Sequence, residues 1–83
     1  MYLTIVAPSG TLCRTTVEKV TLPGILGAFT VLPGHAPLIA QLTDGKIRYT
    51  EGAEEHEQEI RRGFAKIEKD TVEVCIELPE AGL

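Results

Sequence analysis

Apolar and polar residues alternate with period two along most of this chain, and a turn signal cuts the alternation every eight to twelve positions or so. In YLTIV, Leu3 and Ile5 share a face, and Pro8-Ser9-Gly10 breaks the run. TLCRTTVEKVTL reads as one long β-rich segment, with Val20 and Leu22 on one face, Lys19 and Thr21 on the other, and Pro23-Gly24 ending it. GAFTVL alternates Phe29 and Val31 against Ala28 and Thr30 until Pro33-Gly34 stops it, and PLIAQL puts Leu38, Ala40 and Leu42 on one side. Asp44-Gly45 is the strongest short hairpin signal in the chain, and KIRYT follows it with Ile47 and Tyr49 in step. Glu51-Gly52 marks a second tight turn, after which His56, Gln58 and Ile60 oppose Glu55, Glu57 and Glu59. FAKIE and TVEVCIEL are two more strands, joined through Lys69-Asp70, with Val72, Val74 and Ile76 facing one way.

The pattern yields about eight short strands and no segment of helical period, which predicts an all-β sandwich or barrel. Residues 1–78 form one domain in this reading, and residues 79–83, within PEAGL, form a short frayed end. A chain of 83 residues buries only about 60 to 65% of the surface its unfolded form exposes. With two Tyr, two Phe and no Trp, its core must come from Val, Ile and Leu.

The net charge is -4, and the acidic residues gather late, in EGAEEHEQEIRR and ELPE. Without a basic stripe there is no electrostatic basis for gripping a phosphate backbone or an anionic membrane surface. No apolar run approaches the roughly 20 residues that cross a bilayer, and MYLTIVAPSG lacks the basic and apolar regions of a signal peptide. The expectation is a soluble cytoplasmic protein, or a soluble part of something larger, with no nucleic-acid partner and no direct membrane insertion. Cys13 and Cys75 lack Cys-x-x-Cys spacing and are expected to be buried free thiols.

Catalytic chemistry finds little support. His35 has no nucleophile or carboxylate beside it in sequence and reads as a structural or interface histidine. On a strand, Glu55 and Glu57 point away from His56, so EEHEQE predicts a solvated face guarding an edge rather than a zinc site. GILGAF has no lysine and no following helix, so it is not a phosphate loop. Arg61 and Arg62 read as a solvated turn. No catalytic residue, metal ligand or cofactor site is predicted, and the chain is not expected to be an enzyme.

What remains is TVLPGHAPLIAQL, in which apolar residues flank a Pro-Gly-His-Ala-Pro core that is neither helix nor regular strand. Proline and glycine fix such a loop before binding, which lowers the entropy cost of association, and exposed apolar surface marks a partner site. On the residues alone this is an adaptor or a generic β-sandwich protein-interaction module.

In order, LTIVAPSG, VEKVTLPGILGAFTVLPGHAPLIAQLTDGKIRY and RRGFAKIEKDTVEVCIE resemble the N-terminal domain of the epsilon subunit of F-type ATP synthase, called delta in mitochondria. The most specific part is Gly27 to Leu38, G-x-F-x-V-L-P-G-H-A-P-L, with its spacing to DGKIRY and to Gly63-Phe64. The resemblance implies a flattened β-sandwich of about eight to ten short, mostly antiparallel strands. It implies a non-catalytic rotor subunit of the central stalk that binds the gamma subunit and the c-ring and couples ring rotation to ATP synthesis. Its place would be peripheral, on the cytoplasmic side of the energy-coupling membrane. Carried over by position, Ala7, Pro33, Gly34, His35 and Ala36 would face gamma, and Gly27, Ala28, Phe29 and Thr30 would face the c-ring.

Three departures from the family pattern stand out. Many members carry an acidic residue where this chain has Ala28, and many show Ser-Gly-Gly where it has Arg61-Arg62-Gly63. The family usually continues into two C-terminal helices that can inhibit ATP hydrolysis and in some bacteria bind ATP. This sequence stops at Leu83, soon after its last predicted strand, so neither of those roles is carried over.

Overall fold

A computed structural model of the chain describes residues 1–79. The alternation becomes nine strands: β1 (Tyr2–Ala7), β2 (Gly10–Thr16), β3 (Lys19–Gly24), β4 (Gly27–Val31), β5 (Leu38–Leu42), β6 (Gly45–Glu51), β7 (Glu54–Ile60), β8 (Arg62–Glu68) and β9 (Thr71–Glu77). They hydrogen-bond in the order β2-β1-β9-β8-β5-β3-β6-β7, with β4 paired to β3. Every pairing is antiparallel except β1 with β9. The expected all-β, mostly antiparallel fold is therefore what the chain adopts.

The sheet curls because β5 and β3 share a single residue pair, Leu42 with Gly24. On one side of that corner lies the layer β2-β1-β9-β8-β5, and on the other β4, β3, β6 and β7. Their inner faces meet in one aliphatic core. Leu3, Ile5, Ala65, Ile67, Val72, Val74 and Ile76 come from the first layer, and Val20, Leu22, Val31, Ile47 and Ile60 from the second. Each Val, Leu or Ile so buried contributes about 1.5–3 kcal/mol, and no polar side chain is buried among the described residues.

Two turn readings are corrected. The segment TLCRTTVEKVTL is two strands, because the chain passes between layers at Val17-Glu18. There the Val17 N–H donates to Met1 O at 2.8 Å and the Glu18 N–H donates to Thr50 O at 3.0 Å. Pro23-Gly24 does end β3, and Pro23 sits after the last β6 pair (Thr21 with Arg48) and before the β5 pair, where no donor is required of it. The Asp44-Gly45 pair closes no hairpin. β5 pairs with β8 and β3, and β6 with β3 and β7. The chain turns the corner there instead, with the Thr43 N–H on Pro23 O at 2.9 Å. A Cβ on Gly45 would lie 3.0 Å from Pro23 Cβ, and its φ of 153° is one that side chains rarely adopt, so both the close approach to β3 and the backbone conformation select glycine.

Other local readings stand. Gly52 turns β6 into β7, and Lys69-Asp70 joins β8 to β9. The glutamates of β7 lie on an edge strand, where Glu57 meets Arg48 at 2.9 Å and Lys46 at 3.5 Å. Both cysteines are free thiols, but neither is fully buried: Cys13 is half-buried, and Cys75 is exposed because it falls on the outer register of β9. His56 is half-buried on the inner side of β7, stacked on Tyr49 with ring centroids 5.2 Å apart, and not on a solvated face. The predicted frayed end at Glu80 to Leu83 lies outside the described residues.

Candidate interaction surface

The loop between β4 and β5 begins with a turn in which the His35 N–H donates to Leu32 O at 3.1 Å. Pro33 occupies its second position and Gly34, at φ 83°, its third, which is the geometry of a type II turn. Only glycine adopts that third conformation without strain. The Gly34 N–H then donates to Oδ1 of Asp70 at 2.7 Å. Asp70 (φ 58°) and Lys69 (φ 50°) form a left-handed two-residue turn between β8 and β9. The carbonyl of Asp70 accepts the Tyr2 N–H at 2.9 Å, so one residue ties together the start of β1, the β8–β9 turn and the loop. His35 folds back on its own loop, its Nδ1–H donating to the Ala36 carbonyl at 2.7 Å. In the neutral ring that leaves Nε2 as the acceptor. Pro33, Gly34 and Ala36 are exposed around it.

Ala7 lies elsewhere. It ends β1, and Tyr2, which starts the strand, is the residue beside Asp70. At about 3.3 Å per residue the two ends of β1 are some 17 Å apart, so the structure does not bring Ala7 to the Pro33–Ala36 loop. Ala7 borders a different feature. Across β1, β9, β8 and β5, Val6 pairs with Cys75, Cys75 with Phe64 and Phe64 with Gln41, so the four share one row on the outer face. The Phe64 side chain is 59% exposed, and Ile39 in the next row is 74% exposed. A shallow groove lined by Val6, Ala7, Pro8, Phe64 and Cys75 runs along this row.

Phe64 was not among the sequence-derived contact residues, though a signal for it existed. In FAKIE, Ala65 and Ile67 take the core side, which forces the phenylalanine of the same strand outward onto an otherwise charged register. A large aromatic on the polar half of an alternating strand marks a surface kept apolar for contact.

The third feature is β4 and its turn. Phe29 lies against the core and over Gly24, where an added Cβ would meet the ring at 2.9 Å. Ala28 and Thr30 point to solvent, Thr30 sharing a hydroxyl hydrogen bond of 3.0 Å with Thr21. Leu26 at the turn is fully exposed and Ile25 largely so. Gly27, Ala28, Phe29 and Thr30 thus form one contiguous, uncharged stretch, separate from both Ala7 and His35. Among the described residues no group of three or more His, Cys, Asp or Glu is placed to hold a metal ion.

Residues 1–81 match the family described as ATP synthase, Delta/Epsilon chain, beta-sandwich domain. The ATP synthase epsilon chain of Lawsonia intracellularis is 36% identical over 80 residues, covering 96% of this chain and 60% of that protein. The epsilon chain of Citrifermentans bemidjiense is 36% identical over 76 residues, covering 92% of this chain and 55% of that one. The chain therefore spans a little over half the length of these curated relatives. A structure of the Euglena gracilis mitochondrial ATP synthase, comprising OSCP, F1 and c-ring, contains a chain similar over 89% of this one and 48% of its own length. Its TM-score is 0.82 at 26% identity. A chain from the central stalk and c-ring of the Tetrahymena thermophila enzyme shares the fold alone, with a TM-score of 0.78 at 10% identity over 92% of this chain and 62% of its own.

Proposed function

Because this chain belongs to the ATP synthase delta/epsilon family of β-sandwich domains, we propose that it is a non-catalytic part of the central stalk. It grips gamma with the outer face of β1, β9, β8 and β5 and meets the c-ring through β4. In this reading the gamma contact runs the length of the first layer. Ala7 and Phe64 anchor one end, and the Pro33–Ala36 loop anchors the other. The observation that carries it is the conjunction of an apolar row, Val6-Cys75-Phe64, with a loop locked by Asp70 on the same layer. A rigid loop and a flat apolar face lose little entropy on docking and hold orientation under load, which suits a part that transmits torque. The ring contact draws support from the exposed, contiguous Gly27–Thr30 stretch. Since Ala28 replaces the family's acidic residue, that contact rests on Thr30 and backbone groups. The domain would lie peripherally against the energy-coupling membrane, on the side that carries the catalytic head.

The test is co-elution of the folded chain with purified gamma subunit. A stable one-to-one complex supports the proposal, and its absence with both partners folded overturns the gamma contact.

A further inference from the structure

We propose that the outer edge of β4 is a self-association site, where β4 pairs antiparallel with β4 of a second copy of this chain. The proposal starts from an account of backbone groups. β4 pairs with β3 along its whole length, and among the described residues no other strand pairs with it. Opposite Ala28 stands Pro23, which has no N–H. Pro23 with Ala28, and Thr21 with Thr30, are therefore the non-bonded pairs of the β3–β4 ladder. The N–H and C=O of Ala28 and of Thr30 consequently point away from β3, two donors and two acceptors on one free edge.

That edge lacks the protections the other edges carry. β7, at the far end of the second layer, bears Glu54, Glu55, Glu57 and Glu59, so two copies brought together there would set carboxylates against carboxylates. β2 is interrupted by a bulge at Leu12, which has no partner between the pairs Ile5 with Cys13 and Val6 with Thr11. The β5 edge is capped where the Ile25 N–H donates to Gln41 O at 2.9 Å. β4 has no charge, no proline and no bulge, and unlike the equally uncharged β5 it has no strand or backbone cap on its outer side among the described residues. Against the glutamates of β7, the bulge of β2 and the cap on β5, this edge is left open to a second copy and sets no carboxylate against it.

The edge is also self-complementary. About a two-fold axis at Phe29, Ala28 of one copy faces Thr30 of the second copy in a hydrogen-bonded pair, and the converse pair repeats it. All four free groups on each edge are then satisfied, and the two Phe29 residues fall opposite each other. Exposed Leu26, Ile25 and Leu32 flank the seam and give it apolar surface to bury. Self-pairing covers the strand assigned above to the ring, so the free chain pairs and the ring-bound chain does not. The self-pairing stands without that assignment, and its test uses neither gamma nor ring.

The experiment measures the mass of the 83-residue chain by light scattering across a concentration series, for three proteins. These are the wild type, a variant with Ala28→Lys and Thr30→Lys, and a variant with Ala28→Glu and Thr30→Glu. The dimer sets like charges opposite each other at both bonded pairs in either variant, and opposite charges when the variants are mixed. The expected result is a wild-type mass rising from monomer to dimer with concentration, loss of dimer in each variant alone, and its return in the equimolar mixture. Ala28 and Thr30 are exposed, so both variants should keep the wild-type circular dichroism. If either fails to fold, Ala28→Pro serves instead, because it removes only the outward N–H and should also abolish the dimer. A wild type that stays monomeric, a dimer that survives in the variants, or a mixture that stays monomeric would overturn the proposal.

Discussion

Oδ1 of Asp70 receives the Gly34 N–H at 2.7 Å, joining the tip of the β8–β9 hairpin to the middle of the β4–β5 loop. The same residue holds the Tyr2 N–H through its carbonyl. The side chain shapes the loop, while the backbone registers β1 against β9. Asp70→Gly separates these roles, since glycine keeps the left-handed turn and removes only the carboxylate. An exposed hydrogen bond to a charged acceptor lies toward the low end of about 1.5–3 kcal/mol, so urea denaturation should show a loss of about 1.5 kcal/mol. Freed from its anchor, the loop must be ordered on binding, and calorimetric titration with gamma should show roughly a tenfold weaker complex. Asp70→Asn keeps an acceptor at the same place and should stay near wild type in both. Unchanged gamma affinity in Asp70→Gly would show that the bond does not set the binding conformation.

Phe64 and His35 stand at opposite ends of the proposed gamma face. With 59% of its surface already in water, Phe64 gives the fold little. Phe64→Glu should leave Tm within a degree or two of wild type, on the usual scale for a surface change, and should weaken gamma binding by more than about tenfold. His35→Glu puts a charge into the loop and should likewise cost affinity more than stability. A Tm falling in proportion to affinity in both variants would assign these residues to folding rather than contact.

Gly63 faces the core side of β8, where an added Cβ would lie 2.3 Å from Cys75 O and 3.1 Å from the Ile76 Cα. Both obstacles are backbone of the paired strand β9, so neither can rotate aside. Gly63→Ala must therefore push β8 from β9 at the centre of the first layer. Overpacking of this kind costs about 1–3 kcal/mol or more, a large share of the margin of a domain this small. Chemical denaturation should show a fall of at least that size, with near-wild-type stability in Phe64→Ala next door as the control. A Gly63→Ala protein as stable as wild type would mean that the two strands can separate freely.

The strands were legible because alternation is local. Leu3 with Ile5, and Val72, Val74 and Ile76, declare their faces without reference to the rest of the chain. Where the chain changes layer was not legible, because that depends on what a strand pairs with. Asp44-Gly45 has the residues of a hairpin turn but serves a corner, and Val17-Glu18 has no turn residues yet makes one. The candidate surface divides the same way. Pro33-Gly34 announced its turn through proline and glycine. Its anchor, Asp70, lies 36 residues away and could be found only in space. Phe64 fell between the two cases, since the period put it on the outside but only the row with Val6 and Cys75 made it part of a face.

Tyr49 joins the two layers at their closed end, stacked on His56 of β7 and hydrogen-bonded to Cys13 of β2. Burial of its hydroxyl, the Cys13 contact and the charge of Glu51 push its pKa up from 10.0 to about 12. In the unfolded chain the phenol ionises at its ordinary value. Below pH 10 both states hold the proton, and stability does not depend on this group. Between about pH 10 and 12 the unfolded chain has lost the proton that the folded one keeps, so the unfolded state gains and stability falls as pH rises. Tyr2→Phe leaves Tyr49 as the lone tyrosine. In that variant the ultraviolet absorbance of tyrosinate should rise near pH 12, and denaturation midpoints should decline across the same window. Adding Cys13→Ala should draw the titration back toward 10 and flatten the decline. A Tyr49 that ionises at its ordinary value in the folded variant would show that the hydroxyl stands in water and that the layers are not closed at β2 and β7.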